Sequence, residues 1–307
     1  MAPLVSIVTP SLNQGAFLEE AIVSVLEQDY ADLEYLVVDG GSSDGSVDVI
    51  RRHADRLDWW TSEPDRGQAA ALNRAFVRAR GDYLGWLCSD DTLLPGAISR
   101  LVEALENDPG AVLAYGDAVY TDARSERKHV ARSGPWDPVA MMRHAQVPNQ
   151  QPATLYTRRG RDAAGPLDED AWYYLDLQFT IRLAAAGHGV HLAEPLATYR
   201  IHPQGKSTGQ PLRKAEDAVR CAERFMRSEL VPPELRLYAR EGRAALYRIA
   251  GENFYAALDL GRARRAYLKA AMLAPRELEP ARLAKSMLPR PVVRRLRARR
   301  VASRSTS

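Results

Sequence analysis

Gly81-Asp82-Tyr83-Leu84-Gly85-Trp86-Leu87-Cys88-Ser89-Asp90-Asp91 is a short apolar run that stops on two adjacent carboxylates. Leucines and aromatics with flanking glycine suit a buried strand. Thr92 to Gly96 is expected to open a helix, with Pro95 near its first turn. Asp90 and Asp91 would then sit at the carboxyl end of a strand, the edge of an open α/β sheet where ligands bind. Adjacent carboxylates repel and lose solvation when half buried, which favours a cation as partner. The same residues also suit a solvated turn whose aspartate caps the next helix, and this stretch alone leaves both readings open.

The chain before it alternates. Val5 to Thr9 reads as a first strand, and Phe17, Leu18, Ala21, Ile22, Val25 and Leu26 recur at helical spacing. Tyr35 to Val38 reads as a second strand ending on Asp39, followed by Gly40-Gly41-Ser42-Ser43-Asp44-Gly45 and a helix from about Ser46 to His53. That order implies a parallel sheet with right-handed crossovers. The glycine loop is not GxGxxG and no Gly-Lys-Ser/Thr follows it, so neither a nicotinamide-dependent oxidoreductase nor a P-loop nucleotidase is expected. Leu57 to Ser62 suggests a third strand, Glu63 to Gly67 a loop, and the alanines from Ala70 to Ala79 a helix containing Asn73.

After the opening stretch, the pattern predicts a helix from about Pro95 to Asn107 and a strand over Val112 to Ala118. Residues 121–136 read as a loop or hairpin, Pro138 to His144 as a short helix and Ala153 to Thr157 as a strand. Tyr173 to Ala186 is helical, with Asp176 near its start. Val190 to Leu192 and Ala197 to Ile201 are two short β-like runs leading to His202-Pro203-Gln204-Gly205-Lys206-Ser207. Strand signals stop after about residue 210. Segments 213–229, 234–260 and 262–273 read as helices, the last two joined at Leu260-Gly261-Arg262. The expected division is an α/β domain over 1–208, an all-α extension over 209–288 and a basic tail over 289–307.

Composition bounds the rest. The 307 residues are 46% hydrophobic, enough for a sizeable core, and a net charge of +3 argues against a dedicated nucleic-acid binder. Cys88 and Cys221 are far apart and lack CxxC partners, which excludes a disulfide framework and a zinc site of usual spacing. Reduced thiols, no basic n-region at Met1 to Leu4 and no apolar run long enough to span a bilayer give a cytoplasmic expectation. The tail carries Arg290, Arg294, Arg295, Arg297, Arg299, Arg300 and Arg304. It reads either as a solvated terminus or as a peripheral contact with the anionic inner membrane face.

Several motifs now line up. Val5 to Pro10, Asn13-Gln14, Val37 to Gly45, Ser62 to Gly67 with Asn73, and Ser89-Asp90-Asp91 resemble glycosyltransferase family 2 over about residues 4 to 207, in the family's order and at compatible spacings. The resemblance implies a GT-A fold with a mostly parallel, Rossmann-like central sheet. It also implies a nucleotide-diphosphate sugar donor of UDP or dTDP type, Mn²⁺ or Mg²⁺, and inversion at the anomeric carbon. By resemblance, Thr9, Pro10, Asn13 and Asp39 hold the nucleoside, Asp39 accepting from the base. Asp65, Gly67 and Asn73 match a second nucleotide-contacting loop. Ser89-Asp90-Asp91 matches the DxD-type signature, with Asp90 beside the ribose or metal and Asp91 ligating the ion. Asp176 falls on the catalytic-base position, and His202, ahead of Lys206 and Ser207 in a closing segment, is a further candidate metal ligand.

Many members carry an acid where this chain has Gln178, or a Glu where it has Leu175, so Asp170 and Glu169 stand as substitutes for Asp176. The chemistry is coherent: a cation neutralises the departing diphosphate while a carboxylate takes the acceptor hydroxyl's proton. No nucleophilic Ser or Cys is needed, and Cys88 reads as a packed strand residue. The resemblance points to a glycan or lipid-linked acceptor in cell-surface polysaccharide or lipid-linked glycan synthesis. The alternative of a different class is an inactive nucleotide-binding scaffold, favoured only by Gln178.

Overall fold

The computed structural model describes residues 2–275, 280–288 and 291–292. It contains two compact units, one of residues 1–138 with 147–209, the other of residues 139–146 with 210–307. In the first, β1 (Val5–Ser11), α1 (Gly15–Leu26), β2 (Leu33–Asp39), α2 (Ser46–His53), β3 (Trp59–Ser62), α3 (Gln68–Arg78) and β4 (Tyr83–Trp86) alternate along the chain. There follow β5 (Thr92–Leu93), α4 (Ala97–Glu106), β6 (Ala111–Thr121) and β7 (Arg127–Ala131). After α5 (Pro138–His144) come β8 (Thr154–Thr157), α6 (Arg158–Ala164), α7 (Leu175–Leu183) and β9 (His188–Arg200).

Among the described residues the nine strands form one sheet in the order β3-β2-β1-β4-β8-β6-β9-β5, with β7 beside β6. The β3-β2-β1-β4 half is parallel, and its registers bring Ser11, Asp39 and Ser62 to one edge. Beyond β4 the pairings are antiparallel except β6 with β9. Alternate residues of the inner strands face opposite layers. Ile7, Tyr35 and Val37 pack with α1, α2 and α4, whereas Val8, Leu36 and Val38 pack with α3, α6 and α7.

The opening stretch explains why β4 lies where it does. Glu34 is buried and accepts from the Ser6 hydroxyl at 2.5 Å and from the backbone N–H and Nε of Arg80 at 2.7 and 2.6 Å. These donors offset the desolvation of the Glu34 carboxylate, while the Arg80 side chain itself stays largely in solvent. The Gly81 amide donates to Ser6 Oγ at 2.7 Å, and a Cβ there would stand 2.5 Å from the Ser6 nitrogen. Only glycine lets β4 start this close to β1.

Some local expectations change. Thr92 does not begin a helix: Thr92-Leu93 pair with Thr198 and Ala197 as β5, and α4 starts at Ala97 after Gly96, which has a φ of +77°. The two short runs after residue 188 are one strand, because β6 offers a partner along the whole length. α6 had no sequence expectation; the Thr157 side chain caps it by accepting from the Gly160 amide.

The second unit holds α5 residues 139–144 with α8 (Pro211–Glu223), α9 (Ala239–Ala256), α10 (Leu260–Leu273) and α11 (Pro280–Met287). Its inclusion of 139–146 interrupts the block read from sequence as 1–208. α9 packs on α8 and α10, and α10 on α11. The break between α9 and α10 falls before Leu260, with Leu258 at φ +60° and Asp259 capping α10 by accepting from the Arg262 amide. Gly261 lies inside α10. Apart from Pro291 and Val292, the basic tail of 289–307 lies outside the described residues.

Candidate active site

A cavity of about 140 Å³ opens beyond the ends of β4 and β9, and Asp90, Asp91, Asp176, Arg200 and Lys206 are among its lining residues. Asp91 is 3% exposed and its Oδ1 accepts from the Arg200 amide at 2.8 Å. Burial first, then repulsion by Asp90, pushes its carboxyl well above the ordinary value, against the pull of Arg200. Asp90 Oδ2 lies 3.0 Å from His202 Nε2. The second oxygen of each aspartate has no hydrogen-bond partner among the described residues.

Arg200 organises this pair from behind. Its Nε donates to the Asp90 carbonyl at 2.8 Å, and its Nη groups donate to Ser125 Oγ and Glu20 Oε2, both at 2.7 Å. Its guanidinium lies over the Phe17 ring at 4.8 Å, and Phe17 also meets the His202 ring at 4.6 Å. α1 thus supplies the wall against which both basic residues are fixed.

The ligand atoms of Cys88, Asp90 and Asp91 lie within 4.8 Å of one another. Burial and the two aspartates raise the Cys88 thiol well above its usual value, so it stays protonated. Two carboxylates with open oxygens remain, a hard donor set that fits Mg²⁺ or Mn²⁺. His202, the further candidate metal ligand, stands beside this pair, its Nε2 against the Asp90 carboxylate.

The other expected residues divide. Asp39 is fully buried, and its carboxylate accepts from the amides of Gly41 and Ser42 and the hydroxyls of Ser42 and Ser62 at 2.5–3.1 Å. These bonds brace the loop that follows β2. Asn13 Oδ1 accepts from the Ser43 amide at 2.9 Å, joining the β1–α1 loop to the same turn. Asp65 lies against Gly40, where a Cβ would come 2.9 Å from Oδ2, and accepts from the Gly67 amide at 2.7 Å. Burial raises the Asp65 carboxyl, with Asp39 adding to the rise and the Gly67 amide and Arg74 opposing it. Gly67 has φ +122°, a conformation that L side chains rarely adopt.

Thr9 and Asn73 have bonds within the fold. Thr9 is buried with its hydroxyl 2.9 Å from the Tyr35 hydroxyl, on the α1 side of the sheet, and Pro10 is buried within β1. The Asn73 side-chain amide pairs with the Leu167 backbone, donating to its carbonyl and accepting from its N–H, both at 2.9 Å, and also reaches Glu169 Oε1 at 3.4 Å. That bond ties α3 to the loop before α7. Ser89 is buried at the turn. None of Thr9, Pro10, Asn13, Asp39, Asp65, Gly67, Asn73 or Ser89 lines the cavity.

Gln68, Gln151 and Tyr199 are among the lining residues that escaped the sequence reading. Gln68 accepts from Lys206 Nζ at 2.6 Å and donates to Cys88 Sγ at 3.3 Å. The thiol in turn donates to Gln151 Oε1 at 3.4 Å, and Gln151 donates to the Trp86 carbonyl at 2.6 Å. Tyr199 bonds to Ser207, holding the segment after β9 over the cavity. Nothing in the sequence joins Gln151 to Cys88. Gln178 is 4% exposed and does not line the cavity.

The family model described as Glycosyl transferase family 2 matches residues 6–160. The chain is 32% identical over 207 residues to the O-antigen biosynthesis protein RfbC of Myxococcus xanthus, covering 63% of this chain and 16% of that protein. It is 38% identical over 104 residues to the putative teichuronic acid biosynthesis glycosyltransferase TuaG of Bacillus subtilis (strain 168), 33% of this chain and 41% of that one. These matches span less than two thirds of each relative's length. Among solved structures, the mannosyltransferase PcManGT of Pyrobaculum calidifontis in complex with GDP-Man and Mn²⁺ superposes with a TM-score of 0.61 at 20% identity, covering 89% of this chain and 76% of that one. S. aureus TarS 1-349 in complex with UDP-GlcNAc gives 0.65 at 14% identity, covering 96% and 87%. The shared arrangement is the GT-A fold.

Proposed function

The chain belongs to glycosyltransferase family 2, and from that premise we propose that it transfers a sugar from a nucleotide-diphosphate donor, of UDP or dTDP type, to a hydroxyl acceptor with inversion. The observation that carries this is one cavity lined by the Asp90–Asp91 pair and by Asp176. Asp90 and Asp91 would hold Mn²⁺ or Mg²⁺ through their open oxygens. When bound, the ion supplies charge neutralisation for the departing diphosphate. Asp176, in the first turn of α7, takes the acceptor's proton as the new bond to the anomeric carbon forms and the bond to the diphosphate breaks. A single displacement inverts the centre and needs no protein nucleophile, in keeping with the protonated Cys88. Polysaccharide synthesis is the context of the relatives RfbC and TuaG, and a cell-surface or lipid-linked glycan acceptor is proposed on that basis.

The test measures nucleotide release with donor, acceptor and Mn²⁺, after a thermal-shift screen has identified the donor. Asp176→Asn is expected to lower turnover by about 10²–10⁴-fold while donor-induced stabilisation is retained. Asp91→Ala is expected to abolish the metal-dependent part. Wild-type turnover in Asp176→Asn would move the base to Asp170 or Glu169. The scaffold reading rests on Gln178, which is buried outside the cavity lining; donor binding without turnover across a broad acceptor panel would favour it.

A further inference from the structure

The helical unit carries a second concave site. A groove of about 410 Å³ is lined by Arg227, Arg236, Arg240 and Arg243, with Glu229 as its one acidic lining residue. Glu223 binds Arg227 at 3.1 Å and Arg243 at 3.3 Å, so one carboxylate serves two guanidinium groups. Arg236 donates to the carbonyls of Val231 and Glu229, each at 2.9 Å, and Arg240 to the carbonyl of Met272 at 3.4 Å. Among the described residues neither has a carboxylate partner. Carbonyl bonds orient a guanidinium without cancelling its charge, and a planar guanidinium fork matches phosphate oxygens.

Three exposed apolar side chains neighbour the groove's lining residues along the chain. Leu237, Met272 and Leu230 are 82%, 77% and 60% exposed, and each directly adjoins a lining residue in sequence: Arg236, Leu273 and Glu229. A soluble anion gains nothing from exposed apolar neighbours. A bilayer surface uses both features, because apolar side chains enter the acyl boundary while cations meet headgroup charge. No helix among the described residues is long and apolar enough to cross a membrane, so such a contact would be a surface one.

We propose that this face of the helical unit docks on an anionic phospholipid surface, the arginine groove receiving a headgroup phosphate and Leu230, Leu237 and Met272 entering the interface. The inference is independent of the transferase reading and of the basic tail.

The full chain is tested by co-sedimentation with vesicles of phosphatidylcholine alone and with about one third phosphatidylglycerol, at low and raised salt. The expected result is binding to the anionic vesicles only. The Arg236→Gln/Arg240→Gln variant should bind about 30-fold more weakly, the loss of two cationic contacts at an anionic surface. Leu237→Ser/Met272→Ser should also weaken binding with the charge unchanged, and nucleotide release should match wild type in both variants. Unchanged vesicle binding in both variants overturns the proposal, as does equal binding to neutral vesicles. Loss only on removing residues 289–307 would assign the contact to the tail. Saturable stabilisation by inorganic phosphate, lost in the arginine variant while vesicles go unbound, would make the groove a soluble-anion site. Binding of acidic polypeptide but not of vesicles would make it a protein interface.

Discussion

Arg200 is a side chain whose replacement tests the cation site without entering the reaction. It is 4% exposed and holds Asp90 through its side chain and Asp91 through its amide. In Arg200→Ala the Asp91 bond survives, because it is made by backbone, but the Asp90 carbonyl, Ser125 and Glu20 lose their donor. Groups that orient metal ligands typically change metal affinity by about 10–100-fold when removed. The expected outcome is a rise of that size in the Mn²⁺ concentration needed for half-maximal nucleotide release, with turnover partly recovered at saturating metal. An unchanged metal dependence would show that β9 alone positions the aspartates. The acids Asp90, Asp91 and Asp176 were legible from sequence because each stands beside an obvious element end. Arg200 was not, since its value comes from Glu20 on α1 and from Ser125 in the turn after β6, both distant in sequence.

At the scale of elements, the β6–β7 hairpin carries a pH-dependent clasp. Asp122 bonds to Lys128, at 2.7 Å, and to the amides of Arg124 and Glu126. The Lys128 partner first, then the Arg124 amide, lowers its carboxyl to about 2. A carboxyl depressed by folding contributes stability above its unfolded value, near 4, and loses it as pH falls through the folded value. The turn amides of 122–126 should therefore lose protection between about pH 4 and pH 2, with Asp122→Asn abolishing the step. A carboxyl titration by NMR with an ordinary midpoint would refute the clasp. Sequence polarity allowed either a loop or a hairpin over 121–136, since pairing of β7 with β6 depends on a partner strand rather than on local composition. The same reasoning accounts for β5, whose two residues are a strand only because β9 lies beside them.

For the whole molecule, the excursion Val139–Gln146 belongs with the C-terminal helices. Met141 and Met142 are 2% and 0% exposed, and Gly242 of α9 approaches the Met142 carbonyl too closely for any side chain. Burial of one such side chain is worth about 1.5–3 kcal/mol. A chain ending at Gly209 strips this segment of its packing. It should bind an apolar dye and unfold at lower urea than the full chain, and equal behaviour of the two would show that 1–209 is self-sufficient. Composition could place a change of character near residue 208 because strand signals end there. It could not assign eight earlier residues to the later unit, as their helical pattern is satisfied by any apolar neighbour.

By itself the sequence determined the alternating elements of the first half, the GT-A architecture and the rim of acidic loops, because periodicity, glycine turns and ordered motifs are local. The tertiary structure decided where the hydrogen bonds of those residues go. It spent the Thr9 hydroxyl on Tyr35, the Asn73 amide on Leu167 and most of the Asp39 carboxylate on its own turn. It also left the Asp90–Asp91 pair, which began as either a helix cap or a cation site, with two open oxygens in a cavity shared with Asp176. Hydrogen-bond capacity is finite, and which partner takes it is settled only when distant segments meet.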